Sequence, residues 1–140
     1  MKVFGRILLL LVASTIVCTA VPGLAGDRDP LFINLTTDEP HRASMGIVFG
    51  RSQLERGHPL TIFLNDRGVF LGSKAESKKF ADLQKELGEL LSKGAVVVIC
   101  PYCMKHYGIK EPDVLTGLKL GNPGLTGDAL FRENTKTLTW

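Results

Sequence analysis

The sequence predicts one three-layer α/β/α domain with a mainly parallel sheet of about five strands. Apolar strand segments alternate with amphipathic helical segments along the chain, which is typical of right-handed crossovers between parallel strands. Residues 95–99, AVVVI, form an apolar run without alternation, as expected for a strand that is buried on both faces. No internal repeat or low-complexity linker divides residues 26–140, so they suit one domain with one core.

The first predicted strand, residues 31–36, leads into a helix. Pro40 suits the first turn of that helix, and Thr37 or Asp38 is expected to cap it. Small residues recur at helical spacing on one face, which would let the helix lie close to the sheet, and Gly57 ends it. Three further apolar side chains of this helix lie off its main face, and either burial in the domain or a subunit interface explains them: Met45, Val48 and Phe49.

The remaining elements continue the alternation. A loop at 65–68 and a hinge-like stretch at 72–79 lie between the second strand and the second helix. In order, the segments are strand 60–64, helix 80–91, strand 95–99, a short helix opened by Pro101, a short helix within 111–116, strand 118–120, helix 122–131 and strand 135–140. Gly94 and Gly108 close the elements that precede them.

Residues 1–25 have the features of a secretory signal peptide. Two cations precede an apolar run at 7–17, and Gly23 and Ala25 supply the small residues of a cleavage site. The run is short for a membrane-spanning helix. We therefore predict a periplasmic or secreted protein that loses residues 1–25 and has no stable membrane insertion; an uncleaved anchor is the alternative.

Charge and motif content exclude several function classes. The chain has 17 Lys and Arg against 14 Asp and Glu, and two of the cations lie in the leader, which leaves residues 26–140 nearly neutral. A nucleic-acid-binding face needs a clustered basic surplus, so no nucleic-acid partner is predicted. The sequence shows no Gly-rich phosphate loop, Ser-His-Asp set or paired catalytic carboxylates, so nucleotide-binding and hydrolase functions have no support.

Two closely spaced cysteines directly follow the third predicted strand. Cys100 and Cys103 are the only cysteines after the leader, and so small a loop would constrain the unfolded chain little if it were closed by a disulfide. Pro101 favours a short helix whose amide groups face Cys100, and Lys105 and His106 bring positive charge nearby. Both effects favour a reactive thiolate, so the pair is predicted to be chemical rather than structural.

Parallel strands bring the loops that follow them to one edge of the sheet. The loops after the first three strands carry, in turn, Asp38, Glu39 and His41; Asn65, Asp66 and Arg67; and Cys100 and Cys103. Asp38 and Arg67 are therefore candidate supporting residues for the thiols. A helix cap at Asp38 and a solvated loop charge at Arg67 are the structural alternatives.

An ordered set of short segments carries a family resemblance. The segments are ERG at 55–57, NDRGV at 65–69, VIC at 98–100, YGI at 107–109, GLKLG at 117–121 and a closing strand that ends in Trp140. Together they resemble the DsrE/DsrF-like family of sulfur-relay proteins over nearly all of residues 26–140. The resemblance implies a parallel sheet of flavodoxin-like topology, trimers or hexamers, and sulfur donors and acceptors that are proteins or small sulfur species. It also implies that Cys100 carries sulfur as a persulfide; no cofactor or metal is predicted.

Three other functions remain open at this point. Cys-Pro-Tyr-Cys also resembles the active site of glutaredoxins, so Cys100 and Cys103 would suit a thiol–disulfide oxidoreductase, although here the pair follows the third strand rather than an early one. With Met104 and His106 the cysteines form a compact set of soft ligands that suits copper(I) or zinc. An oligomeric binding protein with a simple disulfide is the third alternative. In the sulfur-carrier hypothesis Cys103 releases the sulfur, and Lys105 or His106 stabilises the thiolate.

Overall fold

A five-stranded sheet forms the centre of the computed structural model, which describes Gly26 and residues 28–140. The predicted leader lies outside these residues. The elements are β1 (Leu31–Leu35), α1 (Pro40–Glu55), β2 (Leu60–Leu64), α2 (Ser77–Ser92), β3 (Val96–Ile99), α3 (Pro101–Tyr107), β4 (Lys119–Leu120), α4 (Pro123–Leu130) and β5 (Lys136–Thr139). Short 3-10 turns span Asp66–Gly72, Lys74–Glu76 and Glu111–Asp113.

All strand pairs in the sheet are parallel, and the strand order is β4-β3-β2-β1-β5. One strand lies on one side of β1 and three lie on the other, with helices on both faces of the sheet. The predicted three-layer α/β/α class is therefore confirmed. The layout matches that of flavodoxin, but the strand that stands alone beside β1 is the last strand, whereas in flavodoxin it is the second.

The main core lies between the sheet and the helices α1 and α2. Alternate residues of the three central strands point to this side, because side chains in a strand alternate between faces. They meet residues of α2 that recur at helical spacing, among them Phe80, Leu83, Leu87 and Leu90. Burial of each such aliphatic or aromatic side chain stabilises the folded state by roughly 1.5–3 kcal/mol relative to leaving it exposed. The prediction for the third strand is confirmed, since Val97, Val98 and Ile99 are fully buried.

Helix α1 lies close to the sheet because its inner face is built from small residues. A Cβ added at Gly50 would lie 3.0 Å from the Ile33 side chain, and one at Gly46 would lie 3.3 Å from Leu35 and from Trp140. The outward side of α1 carries Met45, Val48 and Phe49, which are 42%, 38% and 39% exposed. Of the two explanations for these residues, burial in the domain is therefore wrong.

The N-cap of α1 differs from the prediction. Glu39, and neither Thr37 nor Asp38, caps the helix: its carboxylate accepts hydrogen bonds from the backbone N–H groups of His41 and Arg42, at 3.1 and 2.7 Å. Pro40 occupies the first helical position, so the residue directly before it becomes the cap. Thr37 instead accepts a hydrogen bond from the Glu39 N–H at 3.0 Å.

The segment between β2 and α2 is also more ordered than predicted. Residues Asp66–Gly72 form a 3-10 turn with four buried residues, Gly68, Val69, Leu71 and Gly72, so the segment packs into the domain instead of forming a solvated loop. The predicted helix within 111–116 is a single 3-10 turn. No helix of the described residues is long and apolar enough to span a membrane.

Candidate functional site

Cys100 lies at the junction between β3 and α3. Its N–H continues the ladder by donating to the Leu64 carbonyl at 2.9 Å, and its side chain caps α3, with Pro101 at the first helical position. The Cys100 Sγ accepts a hydrogen bond from the Cys103 N–H at 3.4 Å. The predicted short helix with an amide group facing Cys100 is thereby confirmed. Gly108, with φ of +74°, ends α3.

Cys103 lies in the same helix, and its thiol has different surroundings. Its Sγ accepts a hydrogen bond from the Asp66 N–H at 3.1 Å, across from the turn that follows β2. Both cysteines are free thiols. Burial, followed by a hydrogen bond with the Cys100 thiol, raises the pKa of Cys103, while the Asp66 N–H opposes this shift.

Asp66 is held in place by Tyr107 from the last turn of α3. The Tyr107 hydroxyl donates a hydrogen bond to Asp66 Oδ1 at 2.5 Å, and this contact raises the pKa of the Tyr107 phenol. Asp66 has a left-handed backbone with φ of +44°, which is uncommon for a residue other than glycine. The Tyr107 ring also packs on Phe70 of the same turn, with centroids 4.9 Å apart.

Asp38 and Arg67 pair with each other beside this turn. The Arg67 guanidinium binds the Asp38 carboxylate through two nitrogens at 2.7 and 2.9 Å, and Lys79 lies 3.4 Å from the same carboxylate. The hydrogen bond from Arg67 lowers the pKa of Asp38 against the opposing effect of burial. The structural alternative for Asp38 is wrong, because Glu39 caps α1. Arg67 is 53% exposed, as expected of a solvated charge, and is paired with Asp38. The pair anchors the Asp66–Gly72 turn, while its direct partners do not include either thiol.

Lys105 and His106 lie in the last turn of α3, whereas Cys100 caps its first turn. Both side chains are exposed, and the His106 ring meets the Tyr107 ring edge-on with centroids 4.7 Å apart. Positive charge at this end of a helix stabilises the helix dipole. Within residues 28–140 neither side chain forms a hydrogen bond with a thiol, and an effect on the thiolate stays a prediction.

Cys100 opens onto a groove of about 440 Å³ between α3 and the start of α4. The groove is lined mainly by apolar surface, including Phe63, Pro101, Tyr102, Gly121 and Pro123. Cys100 is partly exposed and lies in the wall of this groove. The carboxyl edge of the sheet thus places one of the two cysteines beside an apolar groove.

The soft-ligand set predicted from the sequence does not converge. Met104 is 3% exposed and belongs to the main core, and His106 packs against Tyr107. Across residues 28–140, no three His, Cys, Asp or Glu side chains are grouped so that they could hold a metal ion. The copper or zinc hypothesis therefore has no assembled ligand set in this part of the chain.

Sequence reasoning missed three contacts at the candidate site. They are the Asp66 N–H on Cys103, the Tyr107 hydroxyl on Asp66, and the Lys79 ammonium beside Asp38. Tyr107 follows Cys103 by four residues, so helical spacing places both on one face of α3, and this signal was available in the sequence. The approach of Asp66 and Lys79 depends on tertiary packing and gives no such signal.

Two uncharacterized archaeal proteins are similar to this chain in sequence. An uncharacterized protein of Methanocaldococcus jannaschii is 34% identical over 96 residues, which cover 64% of this chain and 82% of the relative. An uncharacterized protein of Methanopyrus kandleri is 35% identical over 80 residues, covering 56% of this chain and 66% of the relative.

Solved structures show the same fold at low identity. A protein of unknown function from Methanobacterium thermoautotrophicum superposes with a TM-score of 0.67 at 14% identity, covering 80% of this chain and 99% of that protein. The ychN protein of E. coli superposes with a TM-score of 0.61 at 15% identity, covering 81% of this chain and 99% of that protein. The model of the DsrE/DsrF-like family matches residues 31–131, from β1 to the end of α4. The chain therefore belongs to the DsrE/DsrF-like family.

Proposed function

We propose that the protein is a sulfur carrier that holds sulfane sulfur as a persulfide on Cys100. The observation that carries this proposal is the position of the Cys100 sulfur, which caps α3, faces the Cys103 N–H at 3.4 Å and opens onto the groove. The thiolate of a cysteine is the nucleophile of sulfur chemistry. Membership of a family related to sulfur relay supports the same chemistry.

Loading transfers one sulfur atom without net oxidation. The Cys100 thiolate attacks the outer sulfur of a donor persulfide or polysulfide, a new S–S bond forms to Cys100 Sγ, and the donor S–S bond breaks. The donor leaves as a thiolate or as a polysulfide shortened by one sulfur, and the proton of the Cys100 thiol goes to solvent. In the simplest discharge, an acceptor thiolate attacks the outer sulfur and Cys100 leaves as a thiolate.

Cys103 suits a second way of discharge. Because burial raises the pKa of Cys103, this thiol is protonated at neutral pH and is not the first nucleophile. Once deprotonated, it attacks Cys100 Sγ, forms the Cys100–Cys103 disulfide and expels the outer sulfur as hydrosulfide. A dithiol reductant then has to supply two electrons to restore both thiols.

The thiol–disulfide oxidoreductase is the second candidate. Two neighbouring free thiols, one capping α3 and one in its first turn, favour it, since attack by one and resolution by the other is the chemistry of such pairs. The two functions differ in one product: the carrier holds an extra sulfur atom on Cys100, whereas the oxidoreductase forms a mixed disulfide with its substrate.

The test is intact-mass analysis of the protein before and after incubation with polysulfide, with peptide mapping to locate added sulfur. We expect one labile sulfur on Cys100 that dithiothreitol removes, no loading in Cys100→Ser, and full loading with slower hydrosulfide release in Cys103→Ser. The second variant is the matched control, because it also lacks one thiol of the pair. Undiminished loading of Cys100→Ser would exclude the proposed carrier role. A disulfide that takes up no sulfur would favour the oxidoreductase.

We further propose that the protein acts after export, as a homo-oligomer that exchanges sulfur with proteins or small sulfur species. The leader pattern of residues 1–25 supports export, and the intact mass from the same experiment reads whether these residues have been removed. The exposed apolar side chains of α1 support self-association. The open groove beside Cys100 is accessible to a polysulfide and to a cysteine on a protein partner.

A further inference from the structure

We propose that Tyr107 is a positioning residue for Cys103. Its hydroxyl fixes Asp66 so that the Asp66 N–H is held against the Cys103 sulfur when Cys103 becomes a nucleophile. The identity of the group that Cys103 attacks rests on the proposed carrier function, while the positioning itself does not. Tyr107 touches neither sulfur through a hydrogen bond and acts through the Asp66 backbone.

The first argument is the backbone of Asp66. Its backbone has φ of +44°, and its N–H donates a hydrogen bond to Cys103 Sγ, 3.1 Å away. A left-handed conformation of a non-glycine residue persists when neighbouring contacts hold it. At Asp66 this contact is the hydrogen bond of 2.5 Å from the Tyr107 hydroxyl to Asp66 Oδ1. Tyr107 thus holds the side chain of the residue that has the left-handed backbone.

The second argument is that the rest of the turn is fixed independently. The Gly68 N–H donates to the Asn65 carbonyl at 2.9 Å, and Arg67 is bound to Asp38 through two nitrogens. The turn therefore keeps its place without the Tyr107 hydroxyl. Removal of that hydroxyl changes mainly the orientation of Asp66, which makes the expected effect local.

The third argument concerns the ionisable groups around the Cys103 sulfur. The Cys100 thiol faces it from the β3–α3 junction, Asp66 faces it from the turn after β2, and the Tyr107 phenol lies on α3 beside Asp66. Arg67 is the nearby cation that interacts with both Asp66 and Tyr107. The Asp66 carboxylate disfavours a thiolate and its N–H favours one, so the balance depends on how Asp66 is oriented. Tyr107 binds the carboxylate and leaves the N–H aimed at the sulfur.

The positioning of the Asp66 N–H favours the attack of Cys103 on the persulfide of Cys100. Cys103 loses its proton to solvent, its sulfur forms a bond with Cys100 Sγ, and hydrosulfide leaves with the electron pair of the broken S–S bond. An external dithiol reduces the resulting disulfide. An N–H held on Cys103 stabilises the negative charge before the attack, so we expect its loss to slow this step and not the loading of Cys100.

The test titrates Cys103 directly. Full-length protein with Cys100→Ser is alkylated over a range of pH, and the rate at Cys103 is located by peptide mapping. Adding Tyr107→Phe should move the midpoint of the profile upward by about half to one pH unit, which is less than the roughly one to two units of a full hydrogen bond to a charged group, because the Asp66 N–H is displaced and not removed. Tyr102→Phe is the matched control for the titration, because Tyr102 is on the same helix, is 87% exposed and lies outside the Asp66 contact.

A second pair of variants separates positioning from a general loss of structure. Asp66→Asn and Asp66→Ala both remove the carboxylate, which by itself lowers the midpoint, but only Asn keeps an oxygen for Tyr107 and tolerates the left-handed backbone. The midpoint of Asp66→Asn should therefore lie below that of Asp66→Ala. In the protein with both cysteines, Tyr107→Phe should load sulfur normally and release hydrosulfide about three- to tenfold more slowly at neutral pH.

Identical titration profiles for the parent and Tyr107→Phe proteins would overturn the inference, as would equal profiles for Asp66→Asn and Asp66→Ala. The two proposals fail separately. A Cys103 titration that depends on Tyr107 in a protein that takes up no sulfur would retain the positioning role and exclude the carrier. Normal sulfur loading, together with a Cys103 titration that is unchanged by Tyr107→Phe, would retain the carrier and exclude the positioning role.

Discussion

The two cysteines differ in what surrounds them, although only two residues separate them in the chain. Cys100 is fixed by the end of β3, its sulfur accepts a hydrogen bond from an amide of α3, and the residue lies in the wall of a groove. Cys103 is more constrained, because the turn after β2 supplies the N–H at its sulfur. An accessible thiol suits the exchange of sulfur with a partner, and the thiol that is held from a second element suits an intramolecular attack.

Gly68 gives a prediction at the scale of single residues. A Cβ at this position would lie 2.1 Å from the carbonyl oxygen of Leu35, so Gly68→Ala forces the turn away from the end of β1. We expect a loss of about 1–3 kcal/mol in the free energy of unfolding, measured by denaturant titration.

Gly88 is the matched control for Gly68. It lies in α2, is exposed, and an added Cβ would meet no atom within 4 Å. Gly88→Ala should stabilise the protein by about 1 kcal/mol, since alanine has the higher helix propensity. Equal effects of the two substitutions would show that the close approach at Gly68 does not matter.

At the scale of elements, Asp38 ties three segments together. Its carboxylate joins the loop after β1 to Arg67 in the turn after β2 and to Lys79 in α2. Because the folded-state pKa of Asp38 is lowered, the stabilisation is fully present above the unfolded pKa and is lost as the pH falls through the folded value. We expect Asp38→Asn to cost about 1 kcal/mol at neutral pH and almost nothing once the carboxyl is protonated at acid pH, measured as unfolding free energies across this range.

Glu55→Gln serves as the control for Asp38→Asn. It removes the same charge from a pair with Lys93 in which both side chains are about half exposed, at 52% and 46%. Solvent screens such a pair, so its removal should have the smaller effect at neutral pH. A constant difference between the wild-type and Asp38→Asn proteins from neutral to acid pH would contradict the electrostatic explanation.

The elements also show what the sequence can predict. The apolar run at 95–99 and Pro101 predict a buried strand followed by a helix, and these two local signals place Cys100 correctly. The prediction of the α1 cap was wrong, because residue preference favours Thr and Asp at a cap, whereas the position of Pro40 makes Glu39 the cap. The turn at Asp66–Gly72 was underestimated because its burial depends on strands and helices from other parts of the chain.

At the scale of the whole molecule, the topology determines both which edge of the sheet carries the site and where along that edge the site lies. Parallel pairing brings the loops after β1, β2 and β3 to one edge, and the sequence predicts this from the alternation of strands and helices. The order of strands reverses beside β1, where β5 is added, and open sheets commonly bind ligands at such a point. Here the thiols lie two strands away, after β3, so the site is defined by the α3 cap and the Asp66 turn. The sequence predicts that the site lies at the carboxyl edge of the sheet, but it does not predict that the site lies two strands away from the point where the strand order reverses.

The outward side of α1 gives the last prediction, which concerns assembly. Met45, Val48 and Phe49 are exposed in the single chain, and Phe49 packs on Trp140 with centroids 5.7 Å apart, so the apolar surface continues to the C-terminal residue. If this surface joins subunits, a carboxylate placed in it loses its water without gaining a partner. We expect light scattering to give the mass of a trimer or hexamer for the wild type and of a monomer for Val48→Glu. Phe131→Glu, at an 84% exposed position outside this surface, should keep the oligomer mass. A monomeric wild type, or an oligomer that survives Val48→Glu and dissociates with Phe131→Glu, would show that α1 is not the interface.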